Sequence, residues 1–116
     1  MKQYTTPEQT DKLIELGFER PKSEVECDLP KGDWRICSAG IRKAYSIGEL
    51  IEMLPEDIED KDNRGVWYFR NITCNSVYYT REERMYWTDL YISCHSEELI
   101  DNLYEMVVKL KEEGVI

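Results

Sequence analysis

Ser96-Glu97-Glu98-Leu99-Ile100-Asp101-Asn102-Leu103-Tyr104-Glu105-Met106-Val107-Val108-Lys109-Leu110-Lys111-Glu112-Glu113-Gly114 is the stretch whose reading decides the fold. Leu99, Ile100, Leu103, Met106, Val107 and Leu110 recur every three or four residues, the spacing that lines one face of an α-helix. Ser96 is the expected N-cap, Glu97 and Glu98 suit the positive end of the helix dipole, and Lys109 and Lys111 suit the negative end. Glu105 and Lys109 are placed to pair at i, i+4, and Gly114 is a natural stop. A helix with one apolar ridge must bury it against another layer.

The layer is expected immediately upstream. Residues 66–73, 76–80 and 85–94 are dense in Val, Ile, Thr and aromatics and read as strands. Asn75-Ser76 and Thr80 to Arg84 read as the turns, and links that short join antiparallel neighbours. Alternation puts Trp67 and Phe69 on one face and Tyr68 on the other. In the last strand it groups Tyr86, Thr88, Leu90, Ile92 and Cys94 against Met85, Trp87, Asp89, Tyr91 and Ser93.

Two shorter helices are expected further back. Thr6 caps the first, with Pro7 at its first position, Gln9 completing a capping box and Gly17 ending it; Leu13, Ile14 and Leu16 form its apolar face. Ser46 and Glu49 make the second box, Ile47, Leu50, Ile51 and Leu54 share a face, and Pro55 terminates the run. Residues 19–33 read as a loop, and 34–37 and 41–45 as short strands. The predicted fold is α+β: one domain over residues 1–116, an antiparallel sheet of three to five strands, and three helices mainly on one face.

Composition excludes several functions. The net charge of −9 disfavours direct nucleic-acid binding, which rests on Lys and Arg neutralising phosphates, and disfavours an anionic membrane surface. No apolar run approaches the ~20 residues of a membrane span. The opening Met1-Lys2-Gln3-Tyr4-Thr5 lacks the apolar segment of a signal peptide, so the expected location is cytoplasmic, with reduced thiols.

No cofactor or metal site is expected. Cys27, Cys37, Cys74 and Cys94 match no zinc spacing. Asp60-x-Asp62-x-x-Gly65 echoes the start of a calcium loop, but Arg64 falls on a ligand position and Asn71 on the closing glutamate, so residues 55–65 read as a solvated loop. Asn71-Ile72-Thr73 matches a glycosylation sequon, which has no meaning without secretion. Cys94 and the only histidine, His95, invite a nucleophile–base reading, and an enzyme with an unrecognised site stays an alternative. Neighbours on a strand point to opposite faces, however, which leaves Cys94 as a buried apolar residue and His95 on the surface.

The feature pointing to function is aromatic. Trp67, Phe69, Trp87 and Tyr91 are the candidate interaction surface: if helices cover one face of the sheet, the other meets a protein partner or a second copy. The alternative from another class uses Glu49, Glu52, Glu56, Asp57, Glu59, Asp60 and Asp62 as an acidic face that mimics DNA charge and blocks a DNA-binding protein.

Three segments carry a resemblance. Thr5-Thr6-Pro7-Glu8-Gln9-Thr10 leading to Leu13-Ile14-Glu15-Leu16-Gly17-Phe18 is one, and Tyr45-Ser46-Ile47-Gly48-Glu49-Leu50-Ile51-Glu52-Met53-Leu54-Pro55 is the most distinctive. Glu98-Leu99-Ile100-Asp101-Asn102-Leu103-Tyr104 with the closing Glu113-Gly114-Val115-Ile116 is the third. Together they resemble a family of small uncharacterised proteins from gut Bacteroides-type bacteria, often of prophage or mobile-element type. The resemblance implies a bacterial cytosolic setting and an accessory protein that binds other proteins. It carries over no catalytic or binding residue.

Overall fold

The structure, a computed structural model, describes residues 3–26, 41–83 and 86–116. The helix starts follow their local chemistry. In α1, Pro7–Glu15, the Thr6 side chain accepts from the Gln9 N–H and the Gln9 side chain accepts from the Thr6 N–H, so two orphan donors are satisfied reciprocally. Gly17 follows at φ 103°, a left-handed conformation that suits glycine. In α2, Ile47–Met53, Ser46 and Glu49 form the same reciprocal pair, and Leu54 turns extended ahead of Pro55. The third helix, α3, runs Leu99–Glu112. Its N-cap is Glu98, with no side-chain cap. Ser96, expected there, instead accepts from the Glu98 N–H at 3.0 Å and donates to Asp101 at 3.1 Å.

The strands are more numerous than local propensity suggests. β1, Ser23–Glu26, pairs antiparallel with β2, Ile41–Ala44, as a separate two-stranded ladder. The expected loop over 19–33 therefore contains a strand. The expected strand at 34–37, along with Cys27 and Cys37, lies outside the described residues. The main sheet has the order β3-β4-β5-β6, all antiparallel: β3 is Asp57–Glu59, β4 Trp67–Thr73, β5 Ser76–Glu83 and β6 Tyr86–Ser93.

Two further expectations are corrected here. β3 lies inside the stretch read as a solvated loop, because Asp57, Ile58 and Glu59 pair with Phe69, Tyr68 and Trp67. Long-range pairing overrides a local sequence with one apolar residue. β5 continues through Arg81, Glu82 and Glu83, read as a turn, because they pair with Thr88, Trp87 and Tyr86. The β4–β5 turn is Cys74-Asn75, one residue earlier than expected, with Cys74 at φ 50°.

The alternation of β6 breaks at Tyr91. Tyr79 pairs with Leu90 while the adjacent Tyr78 pairs with Ile92, so Tyr91 is an extra residue, at φ 54°. Such a bulge shifts every later side chain to the other face. Leu90 and Ser93 therefore point inward and Ile92 outward, against the expected grouping; Ser93 is fully buried and Ile92 is 44% exposed.

One core lies between the inner sheet face and the helices. The α3 ridge of Ile100, Leu103, Met106, Val107 and Leu110 is buried with Val77 and Tyr79 of β5, Tyr68 of β4, Ile58 of β3, Leu50 of α2 and Leu13 of α1. Few polar groups enter it. The Tyr79 hydroxyl donates to the Pro55 carbonyl at 2.6 Å. Burial, with Asp57 nearby, pushes its pKa up to about 12 against the opposing effect of Arg70, so it stays a donor.

Arg70 points inward from β4 and donates to the carbonyls of Ile51 at 3.1 Å and Leu54 at 3.0 Å. It places a cation at the negative end of α2 and joins the helix to the sheet. Arg70→Met, which keeps the bulk and removes both bonds, is expected to lower the urea-unfolding free energy by about 2 kcal/mol.

Candidate functional site

The outer face of the sheet is built by register. Glu59 on β3 pairs with Trp67 on β4, and Glu82 on β5 pairs with Trp87 on β6. One step along the strands, Asp57, Phe69, Thr80 and Asp89 are cross-strand neighbours over all four strands. Beyond them, Asn71 pairs with Tyr78 and Tyr78 with Ile92. Trp67 is 42% exposed, Phe69 56% and Trp87 65%. These rings face solvent because the helices pack on the opposite side, against Tyr68, Val77 and Tyr79.

The structure thus brings together three of the four candidate aromatics. Tyr91 does not join them: the bulge turns it toward the core margin, where it lines a depression with Leu90, Val115 and the Asp57–Asp62 segment. Burial and Glu113 raise its pKa.

Trp67 and Trp87 border one groove, with Phe69 and Thr80 between them. It is a notch, because β4 begins at Trp67 while the β5–β6 hairpin extends to the Glu83–Tyr86 pair. A second groove adjoins it, bordered by Trp87, Tyr78, Asp89, Ile92 and Cys94. Cys94 is exposed here, contrary to the expected burial, because it follows the bulge. His95 turns instead to Glu105, with Nδ1 3.1 Å from Oε1, and both groups are exposed.

The seven candidate carboxylates separate. Glu49 is committed to internal bonds: it accepts from the Ser46 N–H at 3.2 Å, the Lys22 N–H at 3.1 Å and the Ser23 hydroxyl. Burial alone raises its pKa, but the bonds from Ser23, Lys22 and Ser46 prevail and hold it below the ordinary value of 4.5. A lowered folded pKa contributes stability above the unfolded value, and that contribution is lost as pH falls through the folded one. Glu49→Gln is therefore expected to flatten the fall in urea midpoint between neutral and acid pH.

Asp60 accepts from the Asp62 N–H at 2.9 Å and from the Tyr68 hydroxyl at 3.4 Å. Glu52, Glu56 and Asp62 are exposed on α2 and in the segments flanking β3. Asp57 and Glu59 are exposed on β3, where register sets them beside Phe69 and Trp67. Two members of the proposed acidic face thus border the aromatic one.

Among the described residues no three His, Cys, Asp or Glu side chains are gathered to hold a metal ion, and no helix is long and apolar enough to cross a membrane. No family model matches the chain, and neither a curated protein nor a solved structure matches it.

Proposed function

We propose that the chain is a small protein-interaction module that engages its partner through the outer face of the β3–β6 sheet. The observation that carries this reading is the exposure of Trp67, Phe69 and Trp87 together on a face that no helix covers among the described residues. Large aromatics anchor interfaces by burying area at little entropic cost, and a contiguous exposed set marks a contact site.

Charge selects a different protein over a second copy. Two such faces laid together would crowd the acidic positions Asp57, Glu59 and Asp89 of both copies into one interface, and like charges there oppose association. The decoy reading needs its carboxylates free along one surface, but Glu49 and Asp60 hold internal bonds.

The test is co-purification from the native host with wild-type bait, Trp87→Asp and a control on the far side of the molecule, Glu112→Lys. Trp87→Asp is expected to keep the unfolding free energy within about 1 kcal/mol of wild type, as an exposed strand position allows. A partner retained by wild type and control but lost from Trp87→Asp supports the reading. Equal retention by all three baits overturns it.

A further inference from the structure

We draw no further inference here: the strongest candidate, the depression beside β3 lined by Leu90, Tyr91, Val115 and the Asp57–Asp62 segment, is an acidic cluster beside which no second observation in the structure points to a ligand.

Discussion

Replacing Asn102 by alanine is expected to lower the unfolding free energy by about 2–4 kcal/mol, measured by urea denaturation. Asn102 is fully buried in the apolar ridge of α3. Its Oδ1 accepts from the Ser96 N–H at 3.1 Å, and its Nδ2 donates to the Ser96 carbonyl at 3.0 Å and to the Asn75 carbonyl. Asn75 closes the knot by donating its own Nδ2 to the Ser96 carbonyl at 2.9 Å. One side chain thus ties the β4–β5 turn to the segment that leads from β6 into α3. Without it the Ser96 N–H and the Asn75 carbonyl lose their partners, and a buried polar group left unmade costs more than a bond contributes. Asn102→Leu restores bulk but neither bond and should not rescue. Asn102→Asp keeps the acceptor but faces two carbonyls with a carboxylate, and should be at least as damaging.

Leu103→Ala is expected to cost about 2–5 kcal/mol in the same assay, the range for removing a fully buried leucine and leaving part of its volume empty. Leu103 sits mid-ridge, with Ile100 and Met106 on either side and no exposure at any of the three. The cost should appear as a shift of midpoint at constant denaturant dependence, which marks a change in stability rather than in the surface exposed.

How far the fold was legible depends on the range of the interaction that made each element. Both capping boxes were readable because their four residues lie together in sequence, and they formed as expected. The α3 ridge was readable because its period is set by the helix alone. β1 and β3 were not: Ser-Glu-Val-Glu and Asp-Ile-Glu carry little strand propensity, and pairing with β2 and β4 makes them strands. The end of β5 was missed likewise, because Arg81 to Glu83 are held by Thr88 to Tyr86 across the hairpin.

The candidate surface divides on the same principle. Parity placed Trp67 and Phe69 together along an unbroken strand; Trp87 precedes the bulge, two residues from Asp89, and the register through Thr80 puts it on the same face. Tyr91 and Cys94 sit at and after the bulge, where parity fails, and a tyrosine at φ 54° announces nothing in sequence. The acidic border of the face depends on β3, so it became visible only with the register. Asn102 did leave a signal: a polar residue three after Leu99 and four before Met106 lies within the ridge, where a buried amide demands partners.

The central claim is that the sheet has two unlike faces, a core face under α3 and an open aromatic one. Solvent paramagnetic broadening by an inert gadolinium chelate measures this directly. The account predicts strong broadening at the Trp67 and Trp87 indoles, the Phe69 ring and the Ile92 methyls, with the Val77, Leu103 and Leu110 methyls protected. Protected Trp67 and Trp87 indoles beside broadened Leu103 and Leu110 methyls would contradict it.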